Sequence, residues 1–379
     1  MDTLYLAATC AIVPGLGRSR IPRLIQAFGS AKALFEASKE ELLATGICEP
    51  KNVVQFITKR SFDLPRKLDT FCKMKGVQLL SIYDEAYPKA LREIHDPPLV
   101  LYVRGQIPNA SYAIGVVGSR EATHYGLKAA KILAGDLAKE GIPIISGGAK
   151  GIDTAAHEAA LQAGGTTVAV LGCGLDINYP SGNQKLFERI AQRGAVISEY
   201  PPGTAPMAIN FPARNRIIVG LSRGIVVAEA ARKSGALITA HIAADEGREV
   251  YCVPGNIFEG TSIGCHDLIR TGAKLIDSAT DILEEKIAWQ FAMRNKIVQP
   301  NMFAEENLPL QATPNYRSKP LPASDLGKNI LALLQQGPLS LEEITEQSGA
   351  SLPEISMELL ELQVAGYLDV DKAQRYFRL

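Results

Sequence analysis

The chain lacks an excess of charge of either sign, with 40 Lys and Arg balancing 40 Asp and Glu over 379 residues. A neutral field draws in no polyanion from a distance, so any polyanionic partner must be met by positive charge concentrated locally. The six cysteines (Cys10, Cys48, Cys72, Cys173, Cys252 and Cys265) contain no C-x-x-C pair, and the five histidines form no metal-ligand spacing with them. No metal centre is expected, and the thiols read as reduced and mostly buried, as in a cytoplasmic protein. No apolar run approaches the roughly 18 residues that a membrane-spanning helix needs. Met1-Asp-Thr-Leu4 has no basic leader region, so neither a membrane nor an export route is expected.

Enzyme signatures are missing as well. The Walker phosphate loop is absent: Ala149-Lys150-Gly151 puts its Lys before the last glycine, with no hydroxyl residue after it. No Gly-x-Gly-x-x-Gly opens a helix with an acidic residue about 20 positions on, as a dinucleotide fingerprint requires. His124, His157, His241 and His266 have no Ser or Cys partner at a recognisable spacing and read as helix or packing residues. No catalytic constellation and no cofactor is expected.

What is present is a chain 46% hydrophobic and 21% charged, long enough for two or three domains. Residues 1–70 read as short helices around the Gly15-Leu16-Gly17 turn, a SAM-like or helix-hairpin-helix unit. Such a turn can offer backbone N–H groups to a nucleic-acid phosphate beside Arg18, Arg20 and Arg23, or serve only as a packing module. From 75 to 285, eight apolar runs alternate with helical stretches: 77–82, 99–103, 113–117, 143–145, 167–171, 195–198, 224–227 and 249–253. Such alternation predicts an α/β fold, a doubly wound, Rossmann-like and mostly parallel sheet whose ligands collect at the strands' carboxyl ends. Residues 286–324 lose periodicity and gain Pro, as a linker does. Residues 325–379 read as three helices and a β-ribbon, a winged helix. Its expected recognition helix carries Glu354, Glu358 and Glu361 without Lys or Arg, which favours a protein partner over duplex DNA.

The strand ends carry the polar loops. Ser146-Gly-Gly-Ala-Lys-Gly-Ile-Asp153 joins an apolar strand to a helix start, a setting for an anion. Around it lie Gly118-Ser-Arg120, Gly172-Cys-Gly-Leu-Asp176, Ser198-Glu-Tyr-Pro-Pro-Gly203, Glu229 to Gly235, Val253-Pro-Gly255 and Phe211-Pro-Ala-Arg-Asn-Arg-Ile-Ile218. Taken singly, the glycines can be tight turns, Asp153 and Asp176 caps, and Glu229 a buried partner of Arg214 or Arg216. Taken together, Arg120, Lys150, Arg214, Arg216 and Lys233 define a basic rim suited to a chain of phosphates.

These ordered motifs, with Lys233-Ser-Gly-Ala-Leu-Ile-Thr-Ala240, resemble the DNA-processing protein DprA (Smf) family across residues 75–285, and both ends fit that family's layout. The resemblance implies a non-enzymatic single-stranded DNA-binding protein of natural transformation that protects incoming strands and loads a RecA-type recombinase. It implies phosphate contacts at Gly118, Ser119 and Arg120, with Ser146, Gly147, Gly148, Lys150 and Gly151 beside them. It places a base-stacking surface at Phe211, with Arg214, Asn215 and Arg216 completing the pocket and Lys233, Ser234 and Gly235 on its border. It also implies a homodimer through 265–276, with His266, Leu268, Ile269, Leu275 and Ile276 on the face. Ser181 and Ala208 stand where the family often has basic residues, and His266 where it more often has Asn. The competing reading is a Rossmann-like nucleotide-processing enzyme of phosphoribohydrolase type. Its Pro-Gly-Gly-x-Gly-Thr-x-x-Glu loop is replaced here by Ser234-Gly-Ala-Leu-Ile-Thr239, with no Glu three residues after the Thr.

Overall fold

All eight apolar runs form strands: β1 (Val77–Ser81), β2 (Val100–Gly105), β3 (Ile114–Val117), β4 (Ile144–Ser146), β5 (Thr167–Leu171), β6 (Ala195–Ser198), β7 (Gly224–Val227) and β8 (Glu249–Cys252). A ninth, β9 (Lys274–Leu275), joins them; two residues are too few for any periodicity to reveal. The computed structural model describes residues 2–12, 16–287, 289, 324–335, 337–364, 367–370 and 375–378. It divides into two units, Met1–Pro300 and Asn301–Leu379.

The nine strands form one sheet in the order β1-β2-β6-β5-β4-β3-β7-β8-β9. From β6 to β9 all pairs are parallel, while β2 runs antiparallel to both β6 and β1. Strands β3 to β6 step outward on one side of β3, and β7 to β9 step outward on the other. The chain thus reverses its direction of growth between β3 and β7, and a crevice opens beyond the carboxyl ends of neighbouring strands at such a point.

Helices cover the sheet because their apolar spacing leaves them no other stable place. The helix His124–Lys139 starts where Thr123 Oγ accepts from the Gly126 N–H at 3.2 Å. It buries Ala130, Leu133, Ala134 and Leu137, the i, i+3, i+4, i+7 stripe, over Ile114 and Ile144. The neighbouring helix Ile152–Gln162 meets it through Ala155, Ala156, Ala159 and Ala160, small side chains that permit close approach.

Six short helices fill residues 2–75. Ser38 and Glu41 form a reciprocal capping box, and the Asp2 carboxylate accepts from the N–H groups of Ala31 and Lys32. Their buried residues, among them Leu6, Leu24, Leu34 and Phe35, share one core with Tyr102 of β2 and Leu171 of β5. This shared core is why the helical segment belongs to the same unit as the sheet. Only Leu16 and Gly17 of the expected glycine turn fall within the described residues, and Arg18 there pairs with Glu199 at 2.6 Å.

The second unit contains the helices Asp325–Leu333, Leu341–Ser348 and Leu352–Val364 and the antiparallel pair β10 (Leu368–Val370) and β11 (Tyr376–Arg378). Ile330, Ile344, Ile355, Leu359 and Leu368 make its core. This is the expected winged helix, and it too has a capping box, between Ser340 and Glu343.

One buried group ties the stability of the sheet to pH. Thr167 Oγ donates to the Ile144 carbonyl at 2.6 Å, so it accepts from Nδ1–H of the fully buried His157 at 2.7 Å. The second ring nitrogen, Nε2, has no hydrogen-bond partner among the described residues. Burial, reinforced by the charge of Arg214, pushes the His157 imidazole from 6.5 down to about 3. The folded state therefore holds His157 neutral while the unfolded chain takes up a proton below about pH 6.5, so stability is lost as pH falls through that value. Urea unfolding should show about 2 kcal/mol lost from this group between pH 7.5 and pH 5. A His157→Gln variant should lose that pH dependence; equal losses in both proteins would place the titration elsewhere.

Candidate nucleic-acid interface

The crevice between β3 and β7 is a groove of about 750 Å³. Gly118, Ser119 and Arg120 line one side, from the loop after β3, and Lys233, Ser234 and Gly235 line the other, from the loop after β7. Its floor comes from Phe211, Arg214 and Asn215 of the helix Asn210–Leu221. Nine residues singled out in the sequence therefore meet in one place. Ser234 also caps the helix Gly235–Asp245, its Oγ accepting from the Ala236 N–H, so the segment compared with the phosphoribohydrolase loop forms a helix start.

Phe211 is the centre of an aromatic cluster. The Arg120 guanidinium lies 5.0 Å from its ring centroid, and the Tyr179 ring lies 5.5 Å away at 41°. Gly172 makes this seat possible, because a Cβ there would come within 3.0 Å of the Phe211 ring. Ile238, which lines the groove, is 42% exposed, and Met207 and Ile209, just before Phe211 in the chain, are 52% and 74% exposed. Exposed apolar groups beside an arginine-covered ring suit the flat faces of unpaired bases.

The glycine loop before Asp153 is arranged differently from the expected phosphate cradle. Its N–H groups at Gly147 and Ala149 donate to Asp153 Oδ2 at 3.1 and 3.2 Å. Ser146 Oγ is turned inward to the Val116 carbonyl, and the Gly148 carbonyl accepts from Asn183. Gly151, at φ +81, packs so closely on the Ser119 and Arg120 carbonyls that a Cβ would lie 2.3 Å from the first. Ser146, Gly147, Gly148 and Gly151 thus build the rim from beneath. Lys150 alone projects from this loop into solvent.

Arg214 is likewise a correction. It is 4% exposed, and its Nη1 donates to the Gly147 carbonyl at 2.7 Å and to the Val170 carbonyl. A Cβ on Gly147 would fall 2.5 Å from Arg214 Nη2 and 2.7 Å from Asp153 Oδ2, so guanidinium and carboxylate flank that glycine. With Nη1 donating to two buried carbonyls and Nε to the Asn215 side-chain oxygen at 3.3 Å, Arg214 holds the groove floor. Arg216 points elsewhere: it forms a bidentate pair with Glu199 at 2.7 and 2.9 Å and contacts Asp96 at 3.0 Å. Glu229 does not pair with either arginine; it accepts from the Thr123 backbone and hydroxyl. Asp176 caps the neighbouring loop through the Gly203 N–H. Among the described residues, Arg120, Lys150 and Lys233 have no ion-pair partner.

Residues 78–287 match the model of the DNA recombination-mediator protein A family, and residues 314–370 match that of the DprA winged helix domain. Protein Smf of Synechocystis sp. is 37% identical over 390 aligned residues, covering 97% of this chain and 96% of that protein. The chain belongs to the DprA/Smf family. DNA processing protein DprA of Streptococcus pneumoniae is 50% identical over 206 residues, 54% of this chain and 73% of that one. An X-ray structure of the S. pneumoniae protein superposes with a TM-score of 0.65 at 38% identity, covering 75% of this chain and 97% of that one. The Helicobacter pylori protein, whose structure is described as giving insights into a single-stranded DNA binding mode, matches at TM-score 0.51 and 32% identity, covering 56% of this chain and 96% of that one.

Within this DprA/Smf chain, the stretch expected as a dimer face divides between core and surface. Leu268 is 8% exposed and Ile276 is fully buried, and both are core residues. His266 is half-buried, with Nε2 at hydrogen-bond distance from the Gly255 carbonyl, and Ile269 is half-buried too. Leu275, 50% exposed on the edge strand β9, remains available to a partner. In the winged helix, Glu354 accepts from Ser351 and Glu358 from Ser324, so these two acids have local structural duties. The side chain of Glu361 lies outside the described residues.

Tyr179 is a groove residue that sequence reasoning missed. Its signal was present: an aromatic before Pro180 in the loop that follows β5. The two classes of arginine separate in a stability measurement. Arg214→Met strands a buried carboxylate and two carbonyls, and should cost about 3–5 kcal/mol in urea unfolding. Arg120→Ala, at the surface, should stay within about 0.5 kcal/mol of the parent. Equal effects would contradict the division of roles.

Proposed function

We propose that this chain is a single-stranded DNA-binding protein that acts in the cytoplasm during natural transformation, shielding incoming strands and loading a RecA-type recombinase onto them. The observation that carries this reading is the groove at the β3/β7 reversal. There the Phe211–Tyr179 cluster lies beneath Arg120, between the loops that bear Lys150 and Lys233. Unpaired bases stack on the aromatic and apolar surface, and the three unpaired cations along the rim take phosphates. Ser119 and Asn215 supply polar groups at the groove wall. A duplex hides its base faces, so this surface favours single strands. The recombination-mediator family and the winged helix support the wider role; the winged helix, with no Lys or Arg on the helix Leu352–Val364, is assigned to a protein partner.

Charge and stacking make separable contributions. Removing one cation that meets a phosphate should reduce the slope of log affinity against log salt by roughly 0.7 for a single strand. Arg120→Ala and Lys233→Ala should each show this in oligonucleotide titrations over a range of salt. Phe211→Ala should weaken binding by about 1–3 kcal/mol with little change of slope. Unchanged affinity and slope in all three would place the strand elsewhere. With Ser181 and Ala208 in place of basic residues, this version leans more on stacking than on charge.

The protein works as a homodimer whose contact is built on the β9 edge. Leu275→Glu should lower the mass measured by light scattering from that of a dimer to that of a monomer. An unchanged mass would exclude this edge.

A further inference from the structure

The rim continues beyond the groove. Past β7 in the sheet order comes β8, and the loop that follows it, residues 253–262, presents Ile257 and Phe258 at 71% and 89% exposure. The loop is held in shape by its own polar contacts. The Phe258 N–H donates to Asn256 Oδ1 at 3.0 Å, and Asn256 Nδ2 donates to Glu259 Oε1 at 3.3 Å. Gly255 leaves room for the buried Ser262 hydroxyl, which a Cβ would meet at 2.0 Å.

The same loop lines a second cavity of about 430 Å³, with Pro254, Asn256, Glu259, Thr261 and Ser262 facing Tyr125. Tyr125 is half exposed, and its hydroxyl donates to the Pro254 carbonyl at 2.6 Å, which fixes its ring at the cavity wall. It stands in the first turn of the helix His124–Lys139, directly after the loop that carries Arg120. The two cavities are therefore adjoining stations along one line of strand ends, joined by the connection after β3.

Their chemistry differs. Among the described residues no Lys or Arg lines the second cavity, and a carboxylate does, so it disfavours a phosphate. It offers the Tyr125 ring as an aromatic wall and the Glu259 carboxylate as an acceptor for an exocyclic amine, with Phe258 exposed on the same loop. We propose that this cavity takes an unpaired nucleobase from the same strand, further along than the bases held at Phe211, and prefers an amine-bearing base such as cytosine over thymine. The inference rests on the single-strand reading of the groove and extends it.

The test is fluorescence anisotropy on the full chain with a short oligonucleotide of about 6 residues, which fills only the groove, and with longer cytosine and thymine tracts. Phe258→Ala should weaken binding of the longer strands by about fivefold or more and leave the short one unchanged. Glu259→Gln should remove the preference for cytosine. Arg120→Ala should weaken every strand. If Arg120→Ala acts and Phe258→Ala does not, the second station is refuted while the groove stands. If Arg120→Ala has no effect either, the groove reading itself fails. Light scattering on Phe258→Ala should give the parent's mass; a lower mass would assign the loop to a subunit contact and overturn the proposal.

Discussion

The rim depends on one buried arrangement, the Asp153 carboxylate and the Arg214 guanidinium set on either side of Gly147. The carboxylate gathers the N–H groups of Gly147 and Ala149, and the guanidinium gathers the carbonyls of Gly147 and Val170. The loop after β4 and the end of β5 are thereby fixed to two helices, Ile152–Gln162 through Asp153 and Asn210–Leu221 through Arg214. Burying both charges is unfavourable in isolation, and it is tolerated because each is hydrogen-bonded and lies in the other's field. The consequence is local: the N–H groups of Gly147 and Ala149 are already taken by the chain's own carboxylate.

The rim's side chains stand where the topology puts them. Growth of the sheet in opposite directions from β3 leaves the loops after β3 and β7 facing each other across a crevice. Arg120 comes from one and Lys233 from the other, and the helix Asn210–Leu221 supplies the floor with Phe211. A neutral protein thus presents a local basic and aromatic surface, as the balanced charge of the sequence requires of any member that binds a polyanion.

The fold was largely legible in the sequence because parallel strands covered on both faces are short continuous apolar runs, and 224–227 or 167–171 have no other stable environment. The edge strand β9 was not, since Lys274 and Leu275 carry no pattern. The site was legible as a set of loops but not in the direction of its side chains. Arg120 and Arg214 look alike in sequence. One lies over an exposed ring and the other beneath the loops, a difference fixed by which carbonyls need donors. Arg216 is expected beside Arg214 and Asn215 in the first turn of a helix facing the rim, yet it turns toward Glu199 and Asp96. Ile276 likewise looked like surface and is core, since it follows a strand whose existence could not be read.

Hydrogen exchange with and without a saturating single-stranded oligonucleotide tests the central claim most directly. The account predicts new protection in residues 118–121, 206–215 and 231–239, with little change at the opposite ends of the strands near 143 and 166. Protection confined to the winged helix or to residues 16–60, with the β3/β7 loops unchanged, would contradict it.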